Sequence, residues 1–194
     1  YNVYLSQSGA QGMVFGALDQ MSPFTPGENL RIYRALASLS FAITLGLLLL
    51  WFLTEFGLST AILAFITTLA SPWLTLFGRN IFYVPTFFYI PIVTVTYYLS
   101  RRSDQIERNY LKFSLVVFVT ILLKCLFNGF DFILPSILML AAPLIYFALR
   151  DNWGIRKFIQ ACGVTTISVT AAIFIALLIL SVQISVVLDN FPQA

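Results

Sequence analysis

Long runs of apolar residues, separated by short polar segments, fill the sequence from about residue 35 almost to its last residue. Most runs have roughly 17 to 26 residues, which is the length an α-helix needs to cross a hydrocarbon core of about 30 Å. The pattern predicts an all-α fold, a polytopic bundle of about six transmembrane helices. The predicted spans are about 35–56, 60–77, 81–99, 110–127, 131–149 and 160–188.

The first 30 residues are more polar and carry a weaker apolar pattern. Apolar side chains recur with helical spacing over Ala10–Met21, which predicts a short helix lying in the membrane interface. Thr25 and Glu28 then form the signature of an N-cap and capping box that starts the next helix. We therefore divide the chain into an extracytoplasmic segment with an interfacial helix, 1–30, and a transmembrane helical domain, 31–194.

The composition supports a membrane protein, because 59% of the residues are hydrophobic and only 10% are charged. Soluble domains carry about 25% charged residues. Histidine is absent, and Cys125 and Cys162 lie inside apolar runs without the paired spacing of a metal or redox site. The sequence also lacks a Walker loop, a GxSxG elbow and an HExxH motif. No cofactor and no metal site are evident from these observations, and the scattered basic residues indicate no nucleic-acid partner.

The basic residues are concentrated in two of the predicted connections, 100–112 and 150–157. These connections hold seven of the 11 basic residues, namely Arg101, Arg102, Arg108, Lys112, Arg150, Arg156 and Lys157. The positive-inside rule predicts that both connections are cytoplasmic. The two ends of this sequence are then extracytoplasmic, and the expected location is a bacterial inner (plasma) membrane.

Five prolines fall in or next to the predicted spans: Pro72, Pro85, Pro91, Pro135 and Pro143. Proline removes a backbone hydrogen bond, and lipid supplies no replacement donor or acceptor. We therefore expect these helices to pack together around a wet interior.

Polar side chains near the predicted outer face are the candidates for chemistry. Arg79 beside Asn80 could clamp a lipid-linked phosphate, although an arginine here could also be an ordinary anchor at the membrane surface. Lys124 lies inside an apolar run, so it needs a partner or a function. Asp131 is the nearest acid, and the pair is either a structural ion pair or a substrate-facing pair. Asp19 is the candidate carboxylate of the first segment.

Short motifs resemble those of bacterial multi-spanning proteins of the GT-C glycosyltransferase type. They are Ser71-Pro72-Trp73, then Gly78-Arg79-Asn80-Ile81-Phe82-Tyr83-Val84-Pro85 and Tyr89-Ile90-Pro91, the turn Asn128-Gly129-Phe130-Asp131-Phe132, and the opening Tyr4-Leu5-Ser6-Gln7 with Gly9-Ala10-Gln11-Gly12. The family's turn commonly has glutamate where this sequence has Asp131. None of these motifs is an established catalytic signature.

The resemblance implies a transferase that takes a sugar from a polyprenyl-phosphate carrier on the outer membrane face. In that family an acid in the first outer loop, which follows a first transmembrane helix, acts as base or metal ligand, so a divalent metal could take part. We therefore expect this sequence to be a fragment whose expected acid could precede Tyr1, with Asp19 as the remaining candidate. Arg79, Asn80, Lys124 and Asp131 are the candidate substrate-binding residues.

Two other functions fit the same residues. A transporter or flippase for a lipid-linked or small polar substrate would use Lys124 and Asp131 as a gating pair. A non-catalytic membrane scaffold would use its prolines only to shape helix packing.

Overall fold

The computed structural model describes residues 9–78, 80–81 and 84–188, and the fold of these residues is all-α. The described residues form eight α-helices: α1 Ala10–Met21, α2 Pro26–Phe56, α3 Leu58–Ala70, α4 Pro72–Phe77, α5 Thr86–Arg102, α6 Tyr110–Asn128, α7 Ile133–Arg150 and α8 Ile155–Leu188. A 3₁₀-helix, Ser103–Asn109, joins α5 to α6.

Four helical stretches in the described residues are long and apolar enough to cross a membrane. They are Pro26–Phe56, Thr86–Asn128, Ile133–Arg150 and Ile155–Val186, and Leu58–Ala70 is a shorter apolar helix. The chain is therefore an integral membrane protein built as a helical bundle, which confirms the predicted fold class.

The stretch Thr86–Asn128 folds back on itself and does not form one straight helix. The rings of Tyr98 and Phe113, fifteen residues apart in sequence, lie 5.6 Å from each other. A straight helix would separate them by about 22 Å, so the chain reverses within Ser103–Asn109. Helices α5 and α6 thus match the predicted spans 81–99 and 110–127, although α5 begins only at Thr86.

The described chain forms two compact units, an N-terminal unit from Ala10 to Tyr89 and a C-terminal unit from Ile90 onward. The division falls inside α5, after its first turn. Helix α2 continues without a break through residue 30, where the sequence had suggested a domain boundary.

The start of the N-terminal unit follows its local sequence signals. Helix α1 has the predicted bounds, and the capping box before α2 is present. The backbone N–H of Thr25 donates to Glu28 Oε2 at 2.9 Å, and the backbone N–H of Glu28 donates to Thr25 Oγ1 at 3.4 Å. Both predictions are confirmed.

The predicted span 60–77 is two helices in the structure. Helix α3 ends before Ser71, and Pro72 starts α4 at a position where a backbone N–H is not needed. The Ser38 hydroxyl donates to the carbonyl oxygen of Gly78 at 3.0 Å. Since Ser38 lies about 27 Å along α2 from its end at Phe56, α3 and α4 together run back along α2 over about that distance.

The C-terminal unit is organised around close packing of α6 against α8. The hydroxyls of Ser114 and Ser168 lie 2.8 Å apart across this interface. Small buried residues follow the same face of α8: Ala161, Thr165, Ser168, Ala172 and Ala176. In lipid, where helix association depends on packing and not on exclusion of water, small residues let two helix backbones approach closely.

The prolines occupy two kinds of place. Pro72 and Pro135 lie in the first turns of α4 and α7, where backbone N–H groups have no partner within the helix. Pro91 and Pro143 lie inside α5 and α7 and are buried. The backbone that these two prolines disturb is therefore covered by protein.

Candidate functional site

Asp19 is the exposed end of a polar chain that joins α1 to α2. Asn29, which is 3% exposed, donates through Nδ2 to Asp19 Oδ1 at 2.5 Å. The Ser22 hydroxyl donates to the other side of the same amide, Asn29 Oδ1, at 2.6 Å. The buried amide thus fixes one oxygen of an accessible carboxylate.

An aromatic contact next to this polar chain also joins α1 to α2. The ring of Phe15 on α1 stacks on that of buried Tyr33 on α2, with 4.7 Å between ring centroids. Asn29 precedes Tyr33 by one helical turn, so the two residues meet α1 on the same face of α2. An apolar and a polar contact therefore both hold helix α1 against α2, with Asp19 at the edge of the junction.

Lys124 lies near the end of α6 and is completely buried. Its Nζ donates to the main-chain carbonyl oxygen of Gly129 at 2.9 Å and to that of Asp131 at 2.5 Å. These carbonyl groups follow the C-terminus of α6, where a positive charge is favourable. The ammonium group is thus used to hold the turn between α6 and α7.

The turn itself has an unusual backbone. Gly129 has φ 67° and Phe132 has φ 56°, and the latter lies in the left-handed region, which non-glycine residues seldom adopt. The buried hydroxyl of Ser136 donates to the carbonyl oxygen of Phe132 at 3.1 Å. Asn128 is also fully buried. Several buried polar groups therefore define this one turn.

The predicted phosphate clamp is described only in part. Arg79, with Phe82 and Tyr83 of the same motif, lies outside the described residues. The backbone N–H of Asn80 donates to the carbonyl oxygen of Phe77 at 2.9 Å and closes a turn after α4. Beyond this segment, the hydroxyls of Ser40 and Thr86 lie 2.8 Å apart. Substrate binding by Arg79 and Asn80 stays a prediction.

The structure brings together one of the predicted pairs. Lys124 and Asp131 share the α6–α7 turn, where Lys124 Nζ donates to the main-chain oxygen of Asp131. Asp19 and Asn80 belong to the N-terminal unit. The complete burial of Lys124 favours the structural alternative for this lysine.

The sequence pattern did not predict a functional role for Asn29. An amide ten residues after Asp19, one turn before a tyrosine of the following helix, was the available signal. This signal is easily overlooked, because the neighbouring Glu28 already explains why α2 begins here. A second missed set joins the two basic connections through Ser103, Asp151 and Trp153.

No group of three or more histidine, cysteine, aspartate or glutamate side chains that could hold a metal ion occurs among the residues the structure describes. Whether a divalent metal takes part stays a prediction. No protein-family model, curated protein or solved structure matches this chain.

Proposed function

We propose that this chain is the membrane module of a GT-C-like glycosyltransferase, which transfers a sugar from a polyprenyl-phosphate carrier at the extracytoplasmic face of a bacterial inner membrane. Asp19 is the proposed base. The observation that carries the proposal is an exposed carboxylate held by the buried amide of Asn29 at 2.5 Å. The motif resemblance supplies the reaction class.

General-base catalysis of sugar transfer requires a carboxylate that is both fixed in position and accessible to the acceptor. Asp19 Oδ1 is engaged by Asn29, while exposure of the residue keeps the carboxylate open to an acceptor. In the proposed step this carboxylate takes the proton of the acceptor hydroxyl. At the same time the hydroxyl oxygen of the acceptor forms a bond to the anomeric carbon of the sugar. The bond between that carbon and the phosphate oxygen breaks, and polyprenyl phosphate leaves with the electron pair.

The leaving phosphate needs a cation to stabilise its charge. Arg79 keeps this role in the proposal, with Asn80 beside it, because a guanidinium binds phosphate through two hydrogen bonds. Lys124 is buried and donates to two main-chain carbonyl groups, so we assign it to the α6–α7 turn instead.

The test is transfer activity of the full-length protein with Asp19→Asn. Membranes containing the protein are supplied with radiolabelled polyprenyl-phosphate-linked hexoses, and release of polyprenyl phosphate is measured. An asparagine at this position can still accept the hydrogen bond from Asn29, so the α1–α2 junction is retained. We expect a loss of about 100-fold or more, the typical contribution of a general base.

Glu28→Gln is the matched control, because it also replaces an acid by an amide near the same helix junction. Glutamine serves the capping box as glutamate does, so this variant should keep full activity. Unchanged transfer by Asp19→Asn, or equal losses in both variants, would contradict the proposed base.

A transporter or flippase is the second candidate, and the break between α3 and α4 favours it. Interrupted helices line substrate sites in many transporters. Next to this break lies a groove of about 240 Å³ that includes Ser38, Thr68 and Gly78. This candidate predicts movement of a lipid-linked substrate across proteoliposome membranes that Asp19→Asn does not change, whereas the transferase predicts no such movement.

A further inference from the structure

The two basic connections meet at one end of the C-terminal unit. Ser103, after α5, donates its hydroxyl hydrogen to the Asp151 carboxylate, which follows α7. Trp153 Nε1 donates to the same Ser103 hydroxyl oxygen at 3.1 Å. The Tyr110 hydroxyl at the start of α6 donates to Gln160 Oε1 on α8 at 3.3 Å. We call this joined surface, 100–112 with 150–160, the basic end.

The basic end keeps a strong positive charge after its internal pairs are considered. Arg150 Nε lies 2.6 Å from Asp151 Oδ1, so these two charges largely neutralise each other. Two other acids, Asp104 and Glu107, are exposed here. Against them stand six further basic residues: Arg101, Arg102, Arg108, Lys112, Arg156 and Lys157.

Exposed aliphatic side chains border these charges. Leu111, Leu149 and Ile155 are 76%, 74% and 74% exposed, and each is next in sequence to a basic residue. On a membrane protein we expect aliphatic side chains this exposed to face lipid acyl chains. The basic side chains beside them are then expected near the level of the lipid phosphates.

One cation of the basic end is held in place. Lys157 Nζ lies 4.7 Å from the centre of the Trp153 ring, a cation–π contact, and the indole is fixed in turn by its hydrogen bond to Ser103. Arg156 is exposed beside it. Asp151 accepts from Ser103 and lies 2.6 Å from Arg150, so its charge is largely balanced by Arg150, although it also acts on Lys157.

We propose that the basic end binds the headgroup phosphate of an anionic phospholipid, with Arg156 and Lys157 in contact with the phosphate and Trp153 as a positioning residue. The bordering aliphatic side chains favour a lipid over a soluble anion, since they would pack on its acyl chains. This inference goes beyond the proposed transfer reaction and does not depend on it.

Quenching of Trp153 fluorescence by brominated lipids tests the proposal at the site itself. Trp51→Phe with Trp73→Phe leaves Trp153 as the sole tryptophan of this sequence. The protein is reconstituted in phosphatidylcholine vesicles that contain either brominated phosphatidylglycerol or brominated phosphatidylcholine. We expect phosphatidylglycerol to quench at several-fold lower mole fraction.

Arg156→Gln with Lys157→Gln should remove most of this preference, so that the two lipids quench at nearly the same mole fraction, because basic residues at a membrane surface supply the attraction for anionic lipid. Arg31→Gln with Arg34→Gln removes the same charge from α2 and should leave the preference unchanged. Quenching is compared between two lipids for each protein, so changes in Trp153 brightness cancel, and circular dichroism checks folding.

Three outcomes would overturn the proposal. The first is equal quenching by the two lipids in the parent protein. The second is an equal loss of preference in the control pair, which would indicate a general effect of charge. The third is loss of the preference on adding inorganic phosphate but not chloride of the same ionic strength, which would indicate a site for a soluble anion.

Discussion

Lys124 Nζ donates a hydrogen bond to the main-chain carbonyl oxygen of Asp131, seven residues further along the chain, at 2.5 Å. The same ammonium group donates to the carbonyl oxygen of Gly129. A charge buried in a membrane helix costs about 2.5–3.5 kcal/mol on insertion scales. Here it is placed where α6 ends and backbone carbonyl groups need donors, so the charge and the helix terminus satisfy each other.

Replacing this lysine should destabilise the α6–α7 turn. Lys124→Met fills the same space but removes the donors that Lys124 supplies to Gly129 and Asp131. Leaving such buried acceptors unsatisfied costs about 1–3 kcal/mol. The measurement is the free energy of unfolding in mixed detergent micelles.

Lys112→Met is the control, because Lys112 is an exposed lysine of the same helix. It should change the unfolding free energy little. If both variants unfold at the same denaturant fraction as the parent, the turn does not depend on Lys124 and the pair could serve a substrate instead.

Local sequence was sufficient to predict α1 and the start of α2. The Thr25–Glu28 box depends on residues three apart, and the apolar spacing of Ala10–Met21 depends on one face of one helix. Both signals act within a turn or two of the backbone. They are therefore visible before any tertiary structure is known.

Contacts between residues that are distant in sequence could not be predicted from local patterns. The sequence pointed to Asp131 as a partner of Lys124, but it could not show that the main-chain carbonyl groups of Gly129 and Asp131 accept from the ammonium group, because carbonyl groups have no residue-type signal. The break at Ser71 has a signal in Pro72, yet a proline equally permits a continuous kinked helix. The contact of Ser103 with Asp151 spans 48 residues and has no local signal at all.

Asn29 should control how firmly α1 is attached. Asn29→Leu removes the donor to Asp19 and the acceptor of the Ser22 hydroxyl, while leaving the Phe15–Tyr33 stack in place. We expect amide hydrogen exchange throughout α1 to become about tenfold faster or more, since a lost buried hydrogen bond costs about 1–3 kcal/mol.

Gln20→Leu is the matched change, because Gln20 is an exposed amide on α1 itself. In the Gln20→Leu variant, the backbone amide hydrogens of α1 should exchange at the same rate as in the parent protein. Unchanged exchange in Asn29→Leu would mean that Asn29 is not needed to hold the helix, and would remove the buried support proposed for Asp19.

The narrow contact between α6 and α8 makes a different prediction. Ala172 is completely buried and lies one helical turn from Ser168, which meets Ser114. Ala172→Leu should force the two helices apart and destabilise the C-terminal unit by about 1–3 kcal/mol, the usual cost of overpacking. Thr170→Leu adds similar bulk at an exposed position of α8 and should be nearly neutral. Equal unfolding free energies for the two variants would show that this face is not tightly packed.

Asp151 gives the basic end an expected dependence on pH. Burial by itself raises the pKa of this carboxyl group, but hydrogen bonds from Arg150 and Ser103 and the charges of Arg150 and Lys157 outweigh it, so the pKa is lowered. A carboxyl group whose pKa is lower in the folded state stabilises the fold fully above its unfolded value of about 3.9. That contribution is lost as the pH falls through the folded pKa.

Asp151→Asn should therefore be less stable than the parent at neutral pH, and the difference should shrink as the pH falls below about 4. Asp104 is an exposed acid at the same end. The variant Asp104→Asn tests whether the loss of any negative charge there lowers stability at neutral pH. The measurement is the unfolding temperature of detergent-solubilised protein across the acid range. Parallel acid curves for the parent and Asp151→Asn would mean that ionisation of Asp151 contributes nothing to the stability of the fold.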